Sequence, residues 1–526
     1  MGTAGAKLGS GVLSRVVVLA VAAACILLLV LPGRTVTATF INDVFIFLDG
    51  AQRIAWGQVP NKDFHTALGP LVFYIPAAGL QASGDFGAAM PVGTALLILA
   101  VMPALVWVLH TRLSPMLAAL LGTFLILLLA VPVNLGSPIG GLSFAMFYNR
   151  VGWFGLALLL VMYLPPHPER RQSTLADASA ATFLLLLQLY IKATYGVVGL
   201  CFLLFLLLDR RQRGWAALAL IGTTAAVAIV ELFWGGSWQH LRDLMDAAQV
   251  SGGRSVWDVI HSAVRNLADL TVFTLAVGCS LWVTRNLRDF AFYGFCALVG
   301  LLIISQNAHG WGIITLYAAV AVAAEQAARQ DSVDMGDGTG IPRSRLVAGL
   351  PFLFVFMAMP PTAYHVASLV LHAGLASYNS GSPVGLPMFQ NLRILAPEGG
   401  GAQFTRRYLD SIKSGGDLLQ SLPEQPERVM VLDFANPFSA GLRLRPPRGD
   451  SAWLHWGRNV NDTTYLAPEA MFSDVEIIMI PKVGINSLPL HHLYGPFIRR
   501  DFDLLKETSE WTLYQRRQGG ARRDPP

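Results

Sequence analysis

The sequence predicts an α-helical polytopic membrane protein with a small C-terminal α/β domain. Three observations predict it. The 526 residues are 54% hydrophobic and only 13% charged, whereas a soluble chain of this size carries about 25% charged residues. The apolar residues gather in runs long enough to cross a hydrocarbon core of about 30 Å. From residue 372 onward the chain is too polar to span a membrane and carries short helix and strand patterns.

The mean hydropathy is +0.51. The net charge of +5 is small and scattered, which argues against a nucleic-acid partner and fits the basic bias of cytoplasmic loops. Cys25, Cys201, Cys279 and Cys296 all fall inside apolar runs. Their spacing suits neither a metal site nor a disulfide framework, so they read as small buried hydrophobes.

The first apolar run, 13–32, reads as an uncleaved helix because no clear small-residue cleavage site follows it. Further spans are expected at 88–109, 116–133, 150–164, 176–191, 195–208, 215–234, 268–284, 290–304, 311–325 and 346–371, about eleven in all. Arg112, Arg170, Arg171, Arg210, Arg211, Arg213, Arg285, Arg288, Arg329, Arg343 and Arg345 then share one side. That side is the cytoplasmic one, with the N-terminus, and the odd count puts the C-terminus outside. The spans 150–164, 176–191 and 195–208 are short, and broken ends at membrane depth mark cavities in membrane enzymes and transporters. Residues 1–371 thus form a membrane module and 372–517 an extracytoplasmic domain, with 518–526 a disordered tail.

The first outer loop, 33–87, is the most polar part of the module. It contains NDVFIFLDGAQRIAWGQVPNKDFHTALGPLVFYIPAAG, with Asp43, Asp49 and Asp63 beside Arg53, Lys62 and His65. Asn42 is expected to cap a helix running to Trp56 and closed by Gly57. Val44, Phe47, Leu48, Ala51, Ile54 and Ala55 fall on one apolar face, so the helix is expected to lie on the membrane. Asp49 and Arg53, four apart, are expected to form a surface pair on its other face. The segment 70–82 is expected to lie in the interface too. In the C-terminal domain, 403–421 and 497–509 are expected as helices, and RVMVLDF, EIIMIP and 511–516 as strands.

Candidate chemistry lies on the outer side. Beyond the first loop it includes Tyr148, Asn149 and Arg150 at the start of a short span, and Lys192 in YIKATYG between two apolar runs. Asn307 and His309 lie in QNAHGW, and Trp238, His240, Asp243, Arg254 and Trp257 in the loop 235–267. Ionisable groups at membrane depth are costly and are functional candidates. A carboxylate there can take the proton of an attacking hydroxyl, and a buried cation can steady a phosphate leaving group. Asp43 is the candidate base, and Lys192 and Arg150 are the candidate phosphate holders. Asp63, His65, Tyr148, Asn149, Asn307 and His309 are candidate substrate contacts. Each has a structural alternative: Asp43 also suits the N-terminal dipole of its helix, Lys192 also suits a snorkelling helix end, and His65 and His309 suit hydrogen-bonded loop positions. No His, Asp and Glu cluster has a diagnostic metal spacing. No cofactor is assigned, and a divalent metal is left open.

An Asp just past the first helix, then A-x-R-I-x-x-G-x-x-P, then DFHTALGPL, resembles the GT-C superfamily of polytopic glycosyltransferases, which includes protein O-mannosyltransferases and lipid A aminoarabinose transferases. In that superfamily the first outer loop carries the acidic residue at or near the catalytic base, often as Asp-Glu; here Val44 follows Asp43. YIKATYG is similar to the family's Lys-containing motif, which implies that Lys192 contacts the donor phosphate, and Tyr148-Asn149-Arg150 resembles a second-loop motif of some bacterial members. The resemblance covers residues 1 to about 320. It implies an inverting transferase in a bacterial inner membrane, using a polyprenyl-phosphate sugar and an envelope glycan, glycolipid or protein acceptor bound between the first loop and the C-terminal domain. The alternatives are a transporter or flippase of lipid-linked or envelope glycans, and a non-catalytic assembly protein. Internal symmetry would favour transport, and a first loop packed on the 191–196 turn would favour the transferase.

Overall fold

The computed structural model describes residues 2–253, 255–306, 311–334, 341–395 and 400–517. The chain opens with helix α1 (Gly2–Val30), strand β1 (Thr35–Thr37) and helices α2 (Ile41–Ala55) and α3 (Leu71–Ser83). The bundle continues through α4 (Phe86–Arg112), α5 (Pro115–Ala130), α6 (Phe147–Val161), α7 (Thr174–Ile191), α8 (Ala193–Leu206) and α9 (Arg213–Trp234). Two shorter helices follow, α10 (Ser237–Ser251) and α11 (Val256–Arg265), then α12 (Leu267–Thr284), α13 (Leu287–Ser305), α14 (Ile314–Asp334) and α15 (Ile341–Ser377).

Each of the eleven segments expected to span coincides with a helix of this bundle. Seven are long and apolar enough to cross a membrane: α1 from Gly11, α4, α7, α9, α12, α13 and α15 from Val347. This is the architecture of a multi-pass membrane protein. Helices α5, α6 and α8 have only 16, 15 and 14 residues. At 1.5 Å per residue these reach roughly 21–24 Å, short of the ~30 Å core. Every residue of α6 is buried, so it is surrounded by protein and need not match the lipid.

Buried polar staples tie the helix ends together where the basic loops gather. Arg112 pairs with Asp177 at 2.9 Å, and His167 with Glu325 at 2.8 Å. The Ser114 backbone N–H also donates to Glu325. At the other end, β1 pairs in parallel with β3 (Leu392–Ile394), which β2 (Ser382–Pro383) flanks antiparallel. The chain leaving the last bundle helix therefore returns beside the chain leaving the first. The Val36 N–H donates to His372 of α15, and Arg34 and Asp85 both bond the Asn391 side chain, which locks that return.

Beyond it lie α16 (Gly400–Gln420), β4 (Val429–Val431), the short helices α17 (Phe438–Gly441) and α18 (Pro468–Met471), β5 (Ile477–Pro481), α19 (Ser487–Asp501), β6 (Phe502–Glu507) and β7 (Trp511–Arg516). The four-stranded sheet has the order β4-β5-β7-β6, with β4 and β5 parallel and the other pairs antiparallel. Trp511 of β7 donates its indole N–H to Ser411 O of α16, which seats that helix on the sheet.

Three local expectations are corrected. The helix expected at 497–509 instead ends at Asp501, and Phe502–Glu507 is an edge strand paired with β7. Its apolar spacing suits a helix, but a hairpin to Trp511–Arg516 supplies the backbone partners, and tertiary pairing outweighs local periodicity. Asn42 is not the cap of α2. Phe40, in the left-handed region at φ 53°, holds that place, and Asn42 lies inside the first turn. Finally, α2 does not lie on a membrane surface. Residues Val44 to Arg53 are all buried, because α3 covers one side and the C-terminal part of the chain covers the side bearing Asp49 and Arg53.

Candidate functional site

Two helix starts build the candidate site. Asp43 lies in the first turn of α2, and Tyr148 and Asn149 in the first turn of α6. Both helices begin from a non-glycine residue in the left-handed region, Phe40 at φ 53° and Met146 at φ 51°. Such conformations cost free energy and persist where the surroundings over-determine them, commonly at functional sites. The helices meet through Phe47, whose ring packs edge-on against Phe147 and Tyr148 at 5.1 and 6.4 Å. This contact brings the Asp43 charge within electrostatic reach of Tyr148.

Lys192 is the third component. It is a single extended residue between α7 and α8, with φ −163° and ψ 117°. That break ends one helix and starts the next, and it turns the side chain toward α6. Its Nζ donates to Asn149 Oδ1 at 2.9 Å and lies 5.5 and 5.9 Å from the ring centroids of Tyr148 and Tyr195. Asp43, Tyr148, Asn149 and Lys192 therefore come together from positions up to 149 apart in the chain. The first loop also reaches the Lys192 turn directly: a Cβ at Gly69 would fall 2.2 Å from Tyr190 O and 2.7 Å from Ile191 O.

Burial pushes the Asp43 carboxyl up to about 7, against an opposing pull from the Arg458 charge. A carboxyl in that range is half-ionised near neutrality, which suits a general base. Arg458 belongs to the segment after β4, and its charge also acts on His455, which burial holds below the usual histidine range.

Arg150 is directed elsewhere. Its Nη1 donates to Val133 O at 2.6 Å, and its charge acts on His365 of α15, while Nε and Nη2 have no hydrogen-bond partner among the described residues. Neighbouring helical residues point about 100° apart, so Asn149 meets Lys192 and Arg150 faces α15 and the segment that follows α5. The two candidate phosphate holders thus have different partners, Val133 O for Arg150 and Asn149 Oδ1 for Lys192.

Asp63 and His65 belong to a second cluster. The Asp63 carboxylate accepts from the Val59 N–H and lies 3.4 Å from Arg448. His65 Nδ1 is 3.0 Å from Asp243 Oδ1 on α10. The same carboxylate accepts from Asn61 Nδ2 and the Thr66 N–H, at 2.8 and 2.9 Å. Burial works to raise Asp243, but the bonds from His65, Gln239 and Thr66 hold it below the usual carboxylate range. Asn307 and His309 lie outside the described residues.

The expected surface pair of Asp49 and Arg53 is corrected to a buried triad. Arg53 and Asp49 are each 1% exposed. Arg53 Nε donates to Asp49 at 2.6 Å, and its two terminal nitrogens grip Asp450 at 2.7 and 2.8 Å. Burial disfavours the guanidinium charge, but Asp450 and Asp49 together hold it charged. Backbone bonds run alongside: Gly449 N–H to Asp63 O at 2.7 Å, and His65 N–H to Asp450 O at 2.8 Å. A polar void between this triad and Asp433 is lined also by Asn436 and Ser451.

Asp450 and Arg458 were not readable as site neighbours, because nothing in their local sequence distinguishes them from surface charges; Asp243 was named among the outer-loop candidates, but not as the partner of His65. Among the described residues, no three His, Cys, Asp or Glu side chains gather as metal ligands.

No family model matches the sequence, and no curated protein matches it. Among solved structures, the chain is similar to the cryo-EM structure of the arabinofuranosyltransferase AftD from Mycobacteria, at 14% identity and a TM-score of 0.41. The match covers 96% of this chain and 40% of that one, so the chain spans less than half the length of that protein.

Proposed function

We propose that the protein is a glycosyltransferase of a bacterial inner membrane. It moves a sugar from a polyprenyl-phosphate donor to an envelope glycan, glycolipid or protein acceptor at the outer face, with inversion. The observation that carries this reading is the convergence of Asp43, Tyr148, Asn149 and Lys192 at one end of the bundle. The sequence motifs around them support it, and so does the packing of Gly69 against the Lys192 turn, the arrangement expected of the transferase.

In this reading the Asp43 carboxylate accepts the acceptor hydroxyl proton as that oxygen attacks the anomeric carbon. The bond to the phosphate oxygen breaks on the opposite face. The Lys192 ammonium, oriented by Asn149, stabilises the charge that builds on the leaving phosphate. The Tyr148 ring, 5.5 Å from the Lys192 Nζ and within reach of the Asp43 charge, borders both groups. Asp63 and His65 shape the first loop through Asp243 and Arg448 instead of meeting the donor.

The test is transfer by the purified protein from synthetic polyprenyl-phosphate pentoses and hexoses to extracted envelope acceptors, read by mass spectrometry. Wild-type transfer that Asp43→Asn abolishes supports the proposal. Movement of lipid-linked glycans between leaflets of proteoliposomes, with no transfer, would replace it by a transporter.

A further inference from the structure

Between α9 and α12 the chain forms α10 and α11, which are not among the helices long and apolar enough to cross a membrane. Each divides into three faces. On α10, Gln239 and Asp243 face the first loop, and Asp243 bonds His65 and Asn61 there. Arg242 and Asp246 are exposed on a polar strip. The third strip is apolar and exposed: Trp238, Leu241 and Met245, at 63%, 46% and 54%.

Helix α11 repeats the pattern. Val259, Ser262 and Ala263 lie on the partly buried side, and the helix packs on α13. Asp258, His261 and Arg265 make a polar strip. Val256, Ile260, Val264 and Trp257 form an exposed apolar stripe about 100° wide at helical spacing. A helix of a water-exposed loop has two faces, one packed and one polar. A third, apolar face needs its own apolar surroundings, since contiguous exposed apolar patches mark interaction surfaces.

The neighbouring chain says what those surroundings are. Leu232 and Phe233, both 85% exposed, end α9, and Leu267, 63% exposed, starts α12. These are the exposed apolar ends of two helices long and apolar enough to cross a membrane. The apolar strips of α10 and α11 are the intervening chain between them. Arg242 lies over the Trp238 ring at 5.2 Å, and an aromatic-cation pair at the edge of an apolar strip suits the headgroup level.

We propose that α10 and α11 are seated in one leaflet of the bilayer, with Trp238, Leu241 and Met245 and the Val256–Trp257–Ile260–Val264 stripe among the acyl chains and the polar strips among the headgroups. The partner is the lipid surface itself. Because Asp243 bonds His65, Asn61 and the Thr66 N–H, and the Trp234 indole donates to Pro60 O at 2.8 Å, this lipid-seated pair is fastened to the first loop. The inference rests on the multi-pass membrane architecture and is independent of the transferase reading.

The experiment is fluorescence quenching of the full-length protein in phosphatidylcholine–phosphatidylglycerol nanodiscs, comparing wild type with Trp257→Phe and Trp238→Phe. These conservative changes at exposed positions leave the fold intact, which a matching thermal transition verifies. The difference between wild type and each variant isolates one indole. Both indoles are expected to be quenched by lipids brominated at shallow acyl positions, and less by lipids brominated near the chain ends or by aqueous iodide. Quenching by iodide with none by brominated lipid would overturn the proposal. Protection from both quenchers would also overturn it, because protein would then cover the strips.

Discussion

Arg53 and Asp450, 397 residues apart, meet in a bidentate pair at 2.7 and 2.8 Å, with Arg53 bound from its other side by Asp49. A guanidinium that is 1% exposed in an apolar surrounding is tolerated only when its charge and donors are matched. Through this pair the first loop and the C-terminal part of the chain behave as one piece, and the loop carrying Asp43 owes its position to residues far beyond the bundle.

Removing one partner leaves an uncompensated buried charge, which costs about 3–5 kcal/mol. Asp450→Ala is therefore expected to lower the thermal midpoint in detergent clearly, and to open the segment around Arg448 to proteases before the bundle unfolds. The double change Arg53→Met with Asp450→Leu removes both charges and is expected to recover most of that loss. Thermal unfolding with timed proteolysis checks both; an unchanged midpoint in Asp450→Ala would show that the triad does not hold the two parts together.

Asp43 links activity to stability with opposite signs. Its carboxyl is raised to about 7 by burial, above an unfolded value of about 3.9. The folded state thus binds the proton more tightly, and stability declines as pH rises from about 4 to about 7. Asp43→Asn removes the buried charge. It is expected to raise the thermal midpoint at pH 8, with the advantage shrinking as pH falls through 7, while transfer drops by about 10²–10⁴-fold. Midpoints and initial rates at pH 5, 6.5 and 8 check this.

Arg458 pulls the Asp43 carboxyl downward from its buried value. Arg458→Gln removes that pull, so the acidic limb of the kcat/KM profile should move to higher pH. The rate at pH 8.5 should change less than the rate at pH 6.5. A limb that stays in place would mean that a group other than Asp43 sets it.

Lys192→Gln keeps a polar side chain but loses the ammonium. If the cation stabilises the departing phosphate, the loss falls on kcat by about 10²–10³-fold, with a smaller change in donor KM. Asn149→Ala, which frees the ammonium from its 2.9 Å bond, should give a smaller loss in the same parameter. A change confined to KM would make Lys192 a ground-state donor contact.

The parts legible in the sequence were those governed by length and local pattern. Eleven apolar runs are eleven helices because a segment in lipid must satisfy its own backbone groups, and hydropathy reports that directly. The break at Lys192 and the polar start of α6 at Tyr148 and Asn149 were legible for the same reason, since polar residues interrupt an apolar run only where something holds them. Their placement near Asp43 depends on how α2 packs against α6 through Phe47, which no local pattern reports. Arg150 shows the limit: its neighbour Asn149 meets Lys192, and the helical turn carries Arg150 to Val133 and His365.

What only the tertiary structure decided was the surroundings of α2. By its own periodicity, Val44 to Arg53 is an amphipathic surface helix with a solvent-facing ion pair. Asp450 converts that polar face into an interior, and Arg458, 415 positions from Asp43, modulates the candidate base. Local sequence specifies which face of a helix is polar. Whether that face meets water or a complementary charge depends on which distant segment folds over it.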